Sequence, residues 1–142
     1  MNAKEFLQQI EKLDKLIENK TIEAQQWREM ARNTSPILTA DKVQSTHNPF
    51  KIQDAICKYI DLENEINKDI DNLVDIKKDV LSVIEQLSAK EYDVLHKIYV
   101  QFLTYDEAAY YCKQSKSWVT TVHGRALVHV QNILNQRNTE IV

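Results

Sequence analysis

Residues 104–127 read TYDEAAYYCKQSKSWVTTVHGRAL, and this stretch decides the fold of the C-terminal part of the chain. Thr104 and Glu107 have the spacing of a capping box, which predicts the start of a short helix. Ser115 is a favourable N-cap for a second helix, so Lys113–Gln114 is left as the turn between the two. Two capped helices joined by a tight turn are typical of a helix-turn-helix, whose second helix lies in the major groove of DNA.

The second helix of this stretch has an apolar face and a polar face. The apolar stripe is Val119, Val122, Ala126, Val130 and Ile133. The opposite face carries short hydroxyl side chains, which can hydrogen-bond to phosphates or base edges, and threonine methyls can contact thymine methyls. Gly124 would let another backbone approach closely. The residues predicted to bind DNA are Lys116, Ser117, Thr120, Thr121, Gly124 and Arg125. An ordinary exposed helix in a small bundle would show the same pattern, and Trp118 fits either stacking on DNA or packing within the domain.

The C-terminal domain is predicted to span residues 88–135, followed by a frayed polar tail at 136–142. Ser88 and Glu91 form another capping-box pattern, which predicts a helix start at Ser88. The residues expected to point inward from this helix are Tyr92, Leu95, Tyr99 and Phe102. From the first helix of the helix-turn-helix they are Tyr105, Ala108, Ala109 and Cys112. The small Ala109 suits the crossing of two helices.

Residues 1–87 predict a long helical hairpin or coiled coil. Apolar residues at steps of three and four indicate one helix over residues 3–31 and a longer one over residues 51–87. Between them, both prolines and many Ser, Thr and Asn residues indicate a loop at 33–50. The apolar seam of the second helix is interrupted by Glu63 and Lys77. Because this helix is the longer one, part of its seam would stay open for another chain to cover.

Composition and charge predict an all-α protein of the cytoplasm. The chain has one glycine and a formal net charge of −3. Its two cysteines, Cys57 and Cys112, have no paired spacing, which suits a reducing compartment, and both are expected to pack as small apolar side chains rather than form a disulfide. No apolar run approaches the ~18 residues that a membrane span needs, and the N-terminus does not resemble a signal peptide. Residues 90–142 hold six Lys and Arg against five Asp and Glu. The phosphate attraction of a single copy is therefore expected to be weak.

The residues predict neither an enzyme nor a cofactor or metal site. Cys112, His123 and His129 have a spacing unlike known zinc modules, so Cys112 is assigned to the core and the histidines to helix surfaces. The acidic residues between Asp69 and Asp79 lack the glycine and spacing of a calcium loop. No Ser/His/Asp or Cys/His arrangement indicates nucleophilic catalysis.

Residues 91–130 resemble region 4 of bacterial sigma factors of the sigma-70 class. The family's Thr-Leu-Glu-Glu-Ile-Ala start corresponds to Thr104–Ala109, and its Arg-Ala-Leu ending corresponds to Arg125–Leu127 without a gap. Nearly the whole chain is similar to small phage-encoded proteins of Gram-positive bacteria, related in kind to late-transcription regulators of the ArpU and RinA type. Many of these proteins have no assigned function.

The resemblance implies DNA contacts at four of the predicted positions, with His123 at the next turn. These positions are Lys116, Ser117, Thr120 and Thr121. The chain departs from the family at Lys113, where glycine is usual, and along the recognition helix, where the family is rich in arginine and glutamate. Arginine makes the commonest specific contact with guanine, so this helix is expected to favour phosphate and thymine-methyl contacts.

The expected function is a phage or prophage transcription regulator that binds double-stranded DNA and activates late genes with host RNA polymerase. A homodimer through the N-terminal helices would compensate for the few base pairs that one helix-turn-helix reads. The first alternative is a DNA-packaging protein of the small-terminase type, which predicts a ring of many subunits. The second is a helical interaction module that does not bind DNA.

Overall fold

The computed structural model describes residues 1–33 and 49–140, and it confirms the all-α prediction for that part of the chain. The helices are α1 (Ala3–Asn33), α2 (Pro49–Ile84), α3 (Ala89–Leu95), α4 (Tyr105–Cys112) and α5 (Lys116–Glu140), with a π-helical turn at His96–Val100. Most of the loop predicted at 33–50 lies outside the described residues. None of the described helices is both long and apolar enough to cross a lipid bilayer.

The chain divides into two compact units. One contains Met1–Leu13 and the chain from Leu73 onward, and the other is Asp14–Asn72. The domain boundary expected between residues 87 and 88 lies inside the first unit, because the core there joins residues from both sides of it. Of the predicted polar tail, residues 136–140 continue helix α5 and 141–142 lie outside the described residues.

The main core of the first unit joins the start of α1, the end of α2, α3 with the π-helical turn, and α5. Its buried members are Ala3, Phe6, Leu7, Ile10, Val80, Val83, Ile84, Leu95, Tyr99, Ala126 and Val130. Burying a large aliphatic or aromatic side chain stabilises a fold by about 1.5–3 kcal/mol, so this cluster is a main source of stability. Since Ala126 and Val130 belong to it, the middle of α5 is held by residues from the start of α1, the end of α2, α3 and the π-helical turn.

A second cluster holds α3, α4 and the first turns of α5 together. Its buried members are Val94, Ala108, Ala109, Val119 and Val122. The predicted inward positions of α5 are therefore confirmed at Val119, Val122, Ala126 and Val130, and Ile133 is half-buried. Alanines at both buried α4 positions allow the α4 and α5 backbones to lie close together.

The helix expected from Ser88 to Phe102 is not a single α-helix. α3 is followed by the π-helical turn, in which the Gln101 amide donates to the His96 carbonyl at 3.0 Å. Phe102 then adopts a left-handed backbone with φ 59° and is 41% exposed. The prediction of an inward Phe102 was wrong, because the wider π-helical turn and the left-handed residue break the 3.6-residue periodicity on which it depended.

In the second unit, residues of α1 and α2 contact each other in opposite order along the two helices. Near its middle, α1 contributes Lys20, whose ammonium lies 2.7 Å from the Asp69 carboxylate. Further along α1, the Arg28 guanidinium lies 6.0 Å from the ring centre of Tyr59, which precedes Asp69 in α2. Cys57, also on α2, was expected to pack as a small apolar side chain, but it is exposed. It lies away from the stripe of α2 that faces α1.

Candidate nucleic-acid interface

α4 begins with the capping box that the sequence predicts. The Thr104 hydroxyl accepts a hydrogen bond from the Glu107 amide at 3.1 Å, and the Glu107 carboxylate accepts one from the Thr104 amide at 3.3 Å. These two bonds satisfy amides at the start of α4 that have no partner within the helix. The start of α4 is therefore set by local sequence as well as by its buried alanines.

The turn between α4 and α5 comprises residues 113–115. Lys113 ends α4 in a left-handed conformation, with φ 56° and ψ 40°. The Gln114 amide donates to the Ala109 carbonyl at 3.0 Å, which closes the end of α4. Ser115 caps α5 as predicted, since its hydroxyl accepts a hydrogen bond from the Trp118 amide at 3.1 Å. The turn is thus closed by its own hydrogen bonds.

All six residues predicted to bind DNA are exposed on the first turns of α5. The Thr120 hydroxyl donates to the Lys116 carbonyl at 2.9 Å, and the Thr121 hydroxyl donates to the Ser117 carbonyl at 3.0 Å. Both hydroxyl protons are therefore used within the helix. What these threonines offer to a partner is a hydroxyl oxygen as acceptor and a methyl group, which suits apolar contact with a thymine methyl.

The charge at the start of α5 is partly balanced by α4. The Lys116 ammonium lies 3.6 Å from the Asp106 carboxylate, and both side chains are largely exposed. A pair of this kind contributes little to stability, about 0–1 kcal/mol. Its consequence is local, because an anion that approaches Lys116 meets the carboxylate of Asp106 beside it.

Gly124 has open space around it. A Cβ atom added at this position would have no described neighbour within 4 Å, and the backbone there is ordinary α-helix. The fold of this chain therefore does not require glycine at position 124. The expectation that Gly124 admits another backbone concerns a bound partner, and it stays a prediction.

His123 lies next to the predicted DNA-binding face, and the prediction for its position was wrong. It was expected on the helix surface, but it is only 7% exposed. Its Nε2 atom lies 2.6 Å from the Tyr99 hydroxyl, and its Nδ1 atom lies 3.5 Å from the Tyr105 hydroxyl. The imidazole is nearly parallel to the Tyr99 ring at 5.6 Å between centres. His123 therefore joins α5 to the π-helical turn and to α4, and it is not available to contact DNA.

The surroundings of His123 favour its neutral form. Burial lowers the pKa of the imidazole from 6.5, and the nearby charge of Lys4 lowers the pKa further. Burial likewise raises the pKa of the Tyr99 hydroxyl to about 12. A signal for this burial exists in the sequence, since position 123 continues the spacing of Val119, Ala126 and Val130 along one stripe. The polar character of histidine outweighed that spacing in the prediction.

The remaining candidate residues have structural partners. Trp118 is half-buried and packs against the second cluster, which favours the packing alternative. Cys112 is half-buried, its thiol lies 3.5 Å from Asp93, and burial raises the pKa of that thiol. His129 contacts Glu91 at 2.5 Å across α5 and α3. Within residues 1–33 and 49–140, no three His, Cys, Asp or Glu side chains are grouped to hold a metal ion.

Comparison with known protein families, with curated proteins and with solved structures finds no match for this chain. The resemblance to sigma region 4 therefore depends on the residues of the chain alone.

Proposed function

We propose that this protein is a DNA-binding transcription regulator in which α4, the turn at 113–115 and α5 form a helix-turn-helix. The observation that carries the proposal is the polar face at the start of α5. Its six predicted contact residues are all exposed, while Val119, Val122 and His123 on the other side are buried. A helix held on one face and polar on the other can enter a major groove without disturbing the core.

The contacts divide by chemistry into positioning and reading. Lys116 and Arg125 supply positive charge to phosphates at two places on α5, while Thr120 and Thr121 supply methyl groups and acceptor oxygens to base edges. Two phosphate contacts per copy give a slope of log affinity against log salt of about −1.8. Such a small electrostatic contribution supports weak binding by one copy and tighter binding by a dimer.

The biological part of the proposal is a phage or prophage regulator of late genes. The chain would act without catalysis or cofactor, in the cytoplasm where its DNA lies, together with host RNA polymerase. α1 and α2 would form a helical hairpin, as supported by the opposite order of their contacts, and this hairpin would join two copies. The resemblance of residues 91–130 to sigma region 4 supports the role of the polymerase.

Fluorescence anisotropy tests the proposal, with labelled DNA duplexes taken from the phage or prophage genome around the gene for this protein. We expect one promoter fragment to bind more tightly than the others, with binding weakened by salt. Lys116→Ala and Arg125→Ala are each expected to reduce the salt slope by about 1, whereas Lys78→Ala, an exposed change on α2, leaves it unchanged. Adding RNA polymerase is expected to tighten binding to that fragment.

Substitution of Thr121 separates a methyl contact from a hydroxyl contact. Thr121→Val keeps a methyl group and is expected to preserve the preference for the promoter fragment, while Thr121→Ser loses the methyl and reduces it. If no duplex binds at either of two salt concentrations while circular dichroism shows intact helices, α5 does not read DNA and the protein is a helical interaction module. A ring of many subunits in light scattering would instead favour a small-terminase type.

A further inference from the structure

α2 carries a second apolar stripe beside the one that faces α1. Its apolar members Ile56, Ile60, Ile70 and Val74 are 42–48% exposed. Each of them is a neighbour in sequence of a residue on the inner face, such as Ala55 or Leu73, so this stripe is rotated by about 100° from the inner one. These four large β-branched side chains lie within a sector of about 80° on a single helix, which is more than the scattered exposure expected of a surface.

Two exposed charged residues of α2 on this side of the helix are symmetric about Ile70. Glu63 lies seven residues before Ile70 and Lys77 lies seven residues after it, and both are exposed. Seven residues are nearly two helical turns, so both charges lie on the same line as Ile70, each about 10.5 Å from it along the helix. Glu63 and Lys77 therefore carry opposite charges at equal distances from Ile70 along the helix.

We infer that this stripe binds the α2 helix of a second copy of the chain, antiparallel and centred on Ile70. In that pairing each Glu63 lies opposite Lys77 of the other copy, so the contact contains two ion pairs around apolar contacts. A parallel pairing in register would place Glu63 against Glu63 and Lys77 against Lys77, where like charges repel. The charges thus favour both the partner and its direction.

This inference rests on the dimer in the proposed function, and it specifies which surface joins the two copies. An antiparallel contact along α2 places the ends of the two helices on opposite sides of its centre. Because α2 is one continuous helix over Pro49–Ile84, the positions of these residues along the stripe follow from the helical repeat alone. The inference is therefore independent of how α5 contacts DNA.

Sedimentation equilibrium of the full-length protein without DNA tests the inference. We expect a dimer for the wild type and a monomer for Ile70→Asp. Glu63→Lys and Lys77→Glu are each expected to weaken the dimer about tenfold, because each replaces two attractive pairs by two repulsive ones. The combined exchange of both charges restores the wild-type affinity. Asp61→Lys and Lys68→Glu, which make the same charge changes on other sides of α2, leave it unchanged.

Disulfide formation between single cysteines tests the direction, in protein whose own Cys57 and Cys112 are replaced by alanine. In the antiparallel contact, the two copies of residue 63 are about 21 Å apart, which is too far for a disulfide. We therefore expect Glu63→Cys to cross-link with Lys77→Cys but not with itself, whereas self-cross-linking at 63 would overturn the antiparallel pairing.

The equilibrium data decide between the inference and the proposed function. A monomeric wild type, or a charge exchange that does not restore dimerisation, would overturn the inference. If such a monomer still binds the promoter fragment in the anisotropy experiment, DNA reading stands without this dimer. If the dimer behaves as expected but no DNA binds, the self-association is correct and the proposed regulator is not.

Discussion

The hydrogen bond between Tyr99 and His123 predicts strong coupling between two conservative substitutions. The Tyr99 hydroxyl and His123 Nε2 are 2.6 Å apart and buried. Tyr99→Phe leaves a buried ring nitrogen without this partner, and His123→Phe leaves a buried hydroxyl without one, so each is expected to cost about 1–3 kcal/mol of unfolding free energy. The Tyr105 hydroxyl, at 3.5 Å from the other ring nitrogen, is too distant to compensate.

The double variant Tyr99→Phe/His123→Phe removes both polar groups and keeps two rings of similar size. Replacing both partners of a buried hydrogen bond with apolar groups of the same shape is nearly neutral. We therefore expect the double variant to lose less stability than the sum of the two single variants, by at least about 1 kcal/mol. The coupling arises because each single change leaves one polar atom buried without its partner.

Urea denaturation followed by circular dichroism measures all four proteins of this cycle. Tyr110→Phe is the matched control, since Tyr110 is 78% exposed and its loss of a hydroxyl is expected to change stability by no more than about 0.5 kcal/mol. Additive single effects would refute the reasoning, as would a Tyr99→Phe variant no less stable than the Tyr110→Phe control. Either result would mean that the 2.6 Å contact does not stabilise the domain.

Three further outcomes are expected. Since the pKa of His123 is lowered from 6.5 in the folded protein, the unfolded chain binds more protons below that pH. The unfolding free energy therefore falls as pH drops below 6.5, and it falls by less in His123→Phe than in the wild type. Urea titrations between pH 7.5 and pH 5 measure this difference. Lys113→Gly is expected to stabilise the protein by up to about 1 kcal/mol, because glycine adopts the left-handed conformation without a Cβ clash. The stability of Gln114→Gly, whose backbone has no positive φ, is the control. Asp106→Asn is expected to tighten DNA binding a few-fold at low salt, because it removes the carboxylate beside Lys116. At high salt we expect no change in DNA binding, and the control variant Asp61→Asn is expected to bind DNA like the wild type at either salt concentration.

Particular outcomes would contradict these three expectations. An identical pH dependence in wild type and His123→Phe would show that the imidazole is not held neutral by burial. A less stable Lys113→Gly would mean that the lysine side chain contributes more than its strained backbone costs. Equal tightening by Asp61→Asn would attribute the effect of Asp106 to net charge rather than to its contact with Lys116.

Local patterns in the sequence predicted the helices and much of their inner faces. Thr104 and Ser115 predicted the starts of α4 and α5 because a capping side chain bonds to an amide only two or three residues away. The spacing of Val119 and Val122 predicted the buried face of α5, since helical periodicity depends on neighbouring residues alone. The same periodicity placed all six candidate DNA contacts on an exposed face, although their binding to DNA stays a prediction.

The predictions for His123, Phe102 and Cys57 were wrong. His123 is buried because Tyr99, 24 residues away in the chain, supplies a hydrogen-bond partner. That hydrogen bond offsets the free-energy cost of removing the polar ring from water. Phe102 is exposed because the backbone leaves α-helical geometry at the π-helical turn, and no residue in that segment has a strong signal for such a turn. Cys57 is exposed, whereas Ala55, two residues earlier on α2, is buried.

The sequence by itself determined the all-helical class, the capped starts of α3, α4 and α5, and the polar character of the first turns of α5, because each depends on side chains within one or two helical turns. Only the tertiary structure decided that Met1–Leu13 and Leu73 onward form one unit. It also decided how the inner side of α5 packs. There, His123 of α5 contacts Tyr99, and the apolar residues of α5 pack against the start of α1 and the end of α2. The physical reason is that a core forms between segments far apart in the chain, and which polar groups it can bury depends on the partners those segments bring to it.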